Sequence, residues 1–233
     1  PCVLELGGSD PYVVLADADV THAAETAVRA RMVNSGQTCV AAKRLIAVDE
    51  VHDAFLAEVV RCMQEAVMGD PHDADTTLGP MARHDLRDTL HQQVRASVEA
   101  GAQLHCGGEP PDRPGAWYPP TVLSNVGPGM CAYEEELFGP VASVICAEDT
   151  EDALRIAADT PYGLGAAVFT RNLDEAERIA RDELMAGCCF ANDMVRSDPR
   201  LPFGGIKASG FGRELSSEGI RAFCNAKTVY IAR

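Results

Sequence analysis

Apolar positions along the chain alternate between short continuous runs and longer stretches with helical spacing. The run from Tyr12 to Ala16 is largely apolar and predicts a short buried strand. Asp19 follows as an N-cap, because a short acidic side chain can accept a hydrogen bond from the first turn of a helix. Apolar residues then recur at helical spacing from Val20 to Val28, which predicts a helix that ends near Asn34.

The same alternation continues through the rest of the chain. Short apolar runs predict further strands over residues 44–48, 120–126, 141–147, 166–170 and 186–191. Apolar stripes predict further helices over residues 51–67, around Leu86, Leu90 and Val94, from a cap at Thr150 to a point before Pro161, and over residues 173–184. Strands that alternate with helices favour an α/β fold with three layers, in which helices flank a mainly parallel sheet.

The last run of the chain, from Thr228 to Ala232, favours β-structure but follows no hairpin or helix pattern. An isolated strand needs a partner to be stable. We therefore expect one domain over residues 1–225 and a C-terminal β tail over residues 226–233 that pairs outside the domain's own sheet, on another copy of the chain.

Composition and charge narrow the possible partners. The 233 residues are 46% hydrophobic and 24% charged, as in ordinary globular proteins. No apolar run reaches the ~18 residues that a membrane span needs. The 35 acidic and 20 basic side chains give a formal net charge of -15. This charge argues against nucleic acid and anionic membranes as partners, because phosphate groups are repelled on average.

The nine cysteines do not form a recognisable disulfide or metal framework. Their number is odd, no CxxC pair occurs, and no group of Cys and His has the spacing of a zinc site. We therefore predict no metal site and a reducing compartment. Because no secretory signal opens the chain, the expected location is the cytoplasm.

Four glycine-rich segments carry the candidate chemistry: Glu5–Gly8, Asn34–Cys39, Glu136–Pro140 and Pro202–Gly205. Each segment alone is also explained by turns that need glycine.

Two of these segments combine a thiol with a carboxylate. Cys39 lies in a loop before a predicted strand, where its thiolate can act as a nucleophile and its N–H can donate to an oxyanion. Glu5 is a lone carboxylate in an apolar stretch, and burial there raises the pKa of a carboxyl and favours a general base. No histidine has a comparable setting, which argues against Cys–His protease chemistry.

In combination, the motifs resemble those of the aldehyde dehydrogenase superfamily. ELGG occurs at Glu5–Gly8, GQxC at Gly36–Cys39, ExFGP at Glu136–Pro140, and PFGG with SGxGRE over Pro202–Glu214. The spacing between the motifs also resembles that of the family, since Cys39 follows Glu5 by 34 positions and precedes Glu136 by 97. Within the family, ELGGSDP, CxAAKR and the SDPR segment resemble the succinate-semialdehyde dehydrogenases of the bacterial Sad type.

The resemblance implies NAD(P)-dependent oxidation of a small aldehyde through a thiohemiacetal and a thioester on Cys39. Glu5 would be the general base that activates water for hydrolysis of the thioester.

The resemblance also implies which residues touch the nicotinamide half of NAD or NADP. Glu136 would bind the ribose hydroxyls and Phe138 would pack against that ribose, while the backbone at Leu6 and Gly7 would face the nicotinamide.

The resemblance also implies roles for the remaining motif residues, in the substrate funnel and in proton transfer. Phe203 and Gly204 resemble its aromatic and backbone elements, and Glu214 matches a glutamate linked to proton relay. The alternative for Glu214 is a charge stabilised at a helix N-terminus.

One position departs from the pattern of many succinate-semialdehyde dehydrogenases. Val33 stands where they carry an arginine that holds the substrate carboxylate. Binding of that carboxylate is then expected from Ser197, Arg200 or residues outside this chain, or the substrate is a different aldehyde.

The family places a Rossmann-type cofactor domain largely before ELGG, whereas Glu5 here follows only four residues, and no GxGxxG cradle occurs. We therefore expect this chain to be the catalytic half of a dehydrogenase, inactive alone, and the whole protein to be a homo-oligomer, a dimer or tetramer. The alternatives are a non-catalytic interaction module, a weak thiol esterase, or a reductase of acyl phosphates.

Overall fold

The computed structural model describes all 233 residues and contains nine strands and seven helices. The strands are β1 Leu4–Glu5, β2 Asp10–Val14, β3 Ala42–Val48, β4 Gln103–Cys106, β5 Thr121–Ser124, β6 Val141–Ala147, β7 Gly165–Phe169, β8 Cys188–Ala191 and β9 Gly210–Phe211. The helices are α1 Val20–Met32, α2 Asp49–Gln64, α3 His84–Glu99, α4 Cys131–Glu134, α5 Thr150–Ala158, α6 Leu173–Arg178 and α7 Ser216–Ala222. A 3-10 turn over Val33–Gly36 follows α1, and a π-helical turn over Ile179–Glu183 follows α6.

Seven strands form one sheet in the order β4-β5-β6-β3-β2-β7-β8. All neighbouring pairs are parallel except β4 and β5, which confirms the predicted mainly parallel α/β fold. Strand β4 is an antiparallel edge strand that the apolar pattern of the sequence does not predict. The short strands β1 and β9 pair antiparallel in a separate two-stranded sheet.

A hydrophobic core lies on each face of the sheet, because successive strand residues point to opposite sides. Helices α1 and α2 cover one face, where Phe55 and Val59 are fully buried. Helices α3 to α6 cover the other face, where Leu90 and Val94 are buried. Burial of each such side chain contributes about 1.5–3 kcal/mol relative to exposure. None of the helices combines the length and apolar character that crossing a membrane would need.

The starts of two helices test the predicted caps. Asp19 caps α1 as predicted, and its carboxylate accepts a hydrogen bond from the N–H of His22 at 3.1 Å. The predicted cap at Thr150 is wrong, because Asp149 accepts from the N–H of Asp152 at 2.9 Å and Thr150 is the first helical residue. A carboxylate is the stronger acceptor and is also favoured by the helix dipole.

The C-terminal tail forms neither helix nor strand from Cys224 to Arg233. The expected β tail therefore finds no partner strand within this chain. Tyr230 and Ile231 are 86% and 81% exposed, so their apolar surface is not covered by the domain. Pairing of the tail with another copy stays a prediction.

Candidate active site

The ELGG, GQxC and ExFGP motifs meet at one edge of the sheet. Gly8 lies two positions before β2, Cys39 three before β3, and Pro140 directly before β6. Strands β6, β3 and β2 are adjacent and parallel, so their amino ends lie side by side. The site is therefore at the amino edge of the sheet, whereas ligands of open α/β sheets usually bind beyond the carboxyl ends.

Backbone contacts join two loops. One is Asn34–Cys39, which carries the candidate nucleophile and is called the nucleophile loop, and the other is Glu136–Pro140, the ExFGP loop. Gly36 has φ 75°, and a Cβ there would collide with the backbone of Gly139, so only glycine fits. Arg31 of α1 is fully buried and donates hydrogen bonds to the carbonyl oxygens of Gly36 and Leu137. The two loops therefore pack as one unit.

Cys39 is a half-buried free thiol in the turn before β3. Burial raises the pKa of the Cys39 thiol, while the Lys43 ammonium and a hydrogen bond from the Val40 N–H lower that pKa. The Glu5 carboxylate raises the pKa of Cys39, so the predicted nucleophile and base lie within electrostatic reach of each other. The Lys43 ammonium and the Val40 N–H therefore stabilise the thiolate form of Cys39 against the effect of burial.

Glu5 lies on β1, opposite Gly210 of β9. Both of its carboxylate oxygens are buried and have no hydrogen-bond partner. Burial raises the pKa of Glu5 and the charge of Glu214 raises it further, whereas the charge of Arg213 lowers it. The backbone of Gly204 lies against the carboxylate, since a Cβ there would be 3.0 Å from Glu5 Oε1. A carboxylate with free lone pairs and a raised pKa suits a general base.

The side chain of Glu136 reaches the ELGG turn. Its Oε1 accepts from the N–H of Gly8 at 3.1 Å and pairs with Lys43 Nζ at 3.0 Å. Its Oε2 accepts no hydrogen bond and lies beside Gly7, where a Cβ would approach it to 2.5 Å. The ring of Phe138 is 36% exposed. The free carboxylate oxygen of Glu136 can accept a hydrogen bond from a sugar hydroxyl, and the exposed ring of Phe138 can pack against the apolar face of a sugar.

The backbone at Leu6 and Gly7 is held in place by Ser209. The N–H of Leu6 donates to the carbonyl oxygen of Ser209 at 3.0 Å, and the Ser209 hydroxyl donates to the carbonyl oxygen of Gly7 at 2.6 Å. The Leu6 side chain is half exposed. The segment between Glu5 and Gly8 is therefore fixed from the far end of the chain.

Lys43 is a residue of the site that sequence reasoning missed. Its side chain is only 2% exposed and contacts both Cys39 and Glu136. The available signal was a pair of charges in the otherwise apolar strand β3. The second charge, Arg44, is structural, because its guanidinium donates to carbonyl oxygens at the C-terminal end of α5.

A pocket of about 190 Å³ lies beside the nucleophile loop. Its lining includes Val33, Thr38, Val40, Met194, Arg196 and Ser197. Thr38 and Val40 flank Cys39 in the chain, so the pocket adjoins the loop that carries the thiol. It brings the predicted Ser197 next to Val33 and adds Arg196, which sequence reasoning missed.

The other predicted substrate residues lie elsewhere. Arg200 is exposed and its guanidinium is paired with Asp198 at 2.6 Å, away from the pocket lining. Phe203 is buried, and its backbone exchanges two hydrogen bonds with that of Glu214, at 2.9 and 2.8 Å. This pairing brings Glu214 close to Gly204 and Glu5.

The family model described as the Aldehyde dehydrogenase family matches residues 1–229. The chain belongs to the aldehyde dehydrogenase family. This membership confirms the resemblance seen in the motifs.

Individual relatives of this aldehyde dehydrogenase chain include succinate-semialdehyde dehydrogenase (NADP+) from Mycobacterium leprae. It is 52% identical over 232 residues, which are 100% of this chain and 50% of that relative. The same enzyme from Mycolicibacterium paratuberculosis is 50% identical over 231 residues, 99% of this chain and 49% of that relative. This chain thus spans about half the length of the curated relatives it matches.

Solved structures show the same fold. Succinic semialdehyde dehydrogenase from Streptococcus pyogenes, in complex with NADP+ as the cofactor, superposes with a TM-score of 0.95 at 36% identity. The match covers 99% of this chain and 50% of that one.

Proposed function

We propose that this chain supplies the catalytic residues of an NAD(P)-dependent dehydrogenase that oxidises a small semialdehyde, such as succinate semialdehyde, to the carboxylic acid. The observation that carries the proposal is the meeting of the Cys39 thiol, the unpartnered Glu5 carboxylate and Glu136 at one edge of the sheet. The names of the Mycobacterium and Streptococcus relatives support the substrate class.

The proposed reaction uses each group once per turnover. The Cys39 thiolate attacks the aldehyde carbon, and the N–H of Cys39 donates to the oxyanion of the thiohemiacetal. NAD or NADP, held at its nicotinamide end by Glu136, Phe138 and the backbone of Leu6 and Gly7, would supply the hydride acceptor that oxidises the thiohemiacetal to a thioester on Cys39. Glu5 then removes a proton from water as the water attacks the thioester carbon, and the acid and the thiol are released.

The residues present fit the nicotinamide end of the cofactor. The free Oε2 of Glu136 would accept hydrogen bonds from ribose hydroxyls, and Phe138 would cover the sugar. The backbone of Leu6 and Gly7 would face the nicotinamide amide. No glycine-rich phosphate cradle follows a strand in this chain, so the rest of NAD or NADP would be held by residues outside it.

The decisive test is a chimera in which this chain replaces the segment that it matches in the Mycobacterium leprae relative. We expect the chimera to reduce NAD or NADP in the presence of succinate semialdehyde, and the chain alone to show negligible dehydrogenase activity. A folded chimera that binds the cofactor but oxidises no small aldehyde would overturn the proposal.

Recognition of the substrate carboxylate is proposed to involve Arg196 and Ser197. Only Nη1 of Arg196 is engaged in the chain, with Asp193 at 2.6 Å and the Met194 carbonyl oxygen at 3.4 Å. The Nε and Nη2 groups of Arg196 accordingly remain available to a carboxylate. Arg196 and Val33 line the same pocket, so Arg196 would take the role of the arginine that is absent at position 33.

Arg196→Met in the chimera is expected to raise KM for succinate semialdehyde by about tenfold to a hundredfold, because a charged hydrogen bond contributes about 1.5–3 kcal/mol. KM for an uncharged aldehyde of similar length should not change. Arg200→Met is the matched control, since Arg200 is the candidate from sequence and lies outside the pocket lining. If Arg200 binds the carboxylate, the two variants will exchange their effects in steady-state kinetics.

The tail over residues 226–233 is proposed to pair with another copy of the protein in a homo-oligomer, a dimer or tetramer. Val229, Tyr230 and Ile231 expose their side chains and have unpaired backbone, as expected of a strand that lacks its neighbour. Deletion of residues 228–233 is expected to lower the sedimenting mass of the chimera. An oligomer of unchanged mass after the deletion would contradict this role.

A further inference from the structure

A buried cation with no assigned role lies at the centre of the site. The ammonium group of Lys43 is almost completely shielded from water. Burial lowers the pKa of Lys43 and the nearby Arg31 lowers it further, whereas the carboxylates of Asp10 and Glu136 raise it. A buried charge is costly unless it is paired and fully hydrogen-bonded, so its contacts indicate what it does.

The Lys43 ammonium has three polar partners. Nζ donates hydrogen bonds to the carbonyl oxygen of Cys39 at 2.7 Å and to that of Thr38 at 3.2 Å, and it forms an ion pair with Glu136 Oε1 at 3.0 Å. An ammonium has three donors and no more. The two hydrogen bonds therefore hold the backbone of the nucleophile loop, and the ion pair holds the carboxylate of Glu136.

The two carbonyl groups belong to the peptide units on either side of the nucleophile. The Thr38 carbonyl shares a planar peptide with the N–H of Cys39, and the Cys39 carbonyl shares one with the N–H of Val40. In a trans peptide the C=O and N–H point in opposite directions, so a held carbonyl also sets the direction of its N–H. The charge of Lys43 lowers the pKa of the Cys39 thiol directly, and the hydrogen bond from the Val40 N–H lowers it further.

We propose that Lys43 is a positioning residue that holds both peptide planes flanking Cys39. It aims the Cys39 N–H at the oxyanion and the Val40 N–H at the thiolate, and through Glu136 it ties this loop to the cofactor side of the site. The inference rests on the proposed function, because it takes Cys39 as the nucleophile.

The test measures the reactivity of Cys39 in this chain, which needs no turnover. Alkylation by iodoacetamide is followed against pH, and each modified cysteine is located by peptide mass spectrometry. In Lys43→Met the rate at Cys39 near neutral pH is expected to fall by about threefold to tenfold, because a higher pKa of the thiol leaves less of the reactive thiolate. The whole pH profile of Cys39 should move to higher pH, and Lys43→Arg should restore part of the rate.

Cys106 is the internal control, because it is also half-buried but lies on the edge strand β4, away from Lys43. Its alkylation rate should be the same in every variant. An unshifted profile at Cys39 in a folded Lys43→Met chain would overturn the proposal.

A second variant keeps the proposal testable if Lys43→Met does not fold. Lys43→Met combined with Glu136→Gln removes both charges of the pair, so neither is left buried alone. It should fold and show the same shift at Cys39. Failure of this variant to fold would also contradict the proposal, because Lys43 would then support the domain as a whole.

The chimera separates this inference from the proposed function. There, Lys43→Met is expected to lower kcat and leave KM for an uncharged aldehyde unchanged. A shift in alkylation together with an inactive wild-type chimera would reject the proposed function and retain the role of Lys43. An active chimera whose kcat does not respond to Lys43→Met would reject the role of Lys43 alone.

Discussion

Replacement of Cys39 with alanine is expected to reduce oxidation of succinate semialdehyde by the chimera at least about a thousandfold, because loss of a nucleophile removes the covalent route. Cys39 lies at the sheet edge with Glu5 and Glu136. The measurement is the initial rate of reduced nicotinamide formation under saturating cofactor. Binding of the cofactor should be retained, since its contacts in this chain come from other residues.

The matched control is Cys106→Ala, which removes a half-buried thiol of another strand. It should leave the rate within a factor of about two, because substitutions far from the site act mainly on stability. Appreciable dehydrogenase activity in Cys39→Ala would reject the covalent mechanism outright.

Replacement of Glu5 with glutamine is expected to stop the reaction after its first half. The thioester should still form, because attack by Cys39 and loss of hydride do not need Glu5. Its hydrolysis should slow by about a hundredfold to ten-thousandfold, the usual contribution of a general base. Rapid mixing should therefore show a burst of reduced nicotinamide close to one per site and then a stalled phase, with an acyl group on the Cys39 peptide by mass spectrometry.

The pH dependence follows from the environment of Glu5. Burial and the charge of Glu214 raise the pKa of Glu5 above its ordinary value. Only the ionised form can accept a proton from water, so hydrolysis of the thioester should increase as pH rises through this raised pKa. Glu214→Gln removes one of the raising charges and should move that increase to lower pH. A burst-free steady rate in Glu5→Gln, with an unchanged pH profile, would show that another group is the base.

Much of the fold follows from local patterns in the sequence. Apolar runs and helical stripes predict alternating strands and helices because each element must bury one face. The sequence predicts Asp19 as the cap of α1 because its hydrogen bond reaches only three residues along the chain. The sequence does not predict β4, because an edge strand is half exposed and its partner strand β5 is in a separate segment of the chain.

By itself, the sequence determined the family and the α/β alternation, and it predicted Cys39 as the nucleophile and Glu5 as the base, since these inferences depend on residue types and spacing. Only the tertiary structure decided that the motifs meet at the amino ends of β6, β3 and β2, because strand order is set by packing between distant segments. It also placed Arg196, and not Arg200, in the pocket beside Val33. The buried Lys43 became part of the site for the same reason: its partner Glu136 is far away in the chain and close only when the strands are side by side.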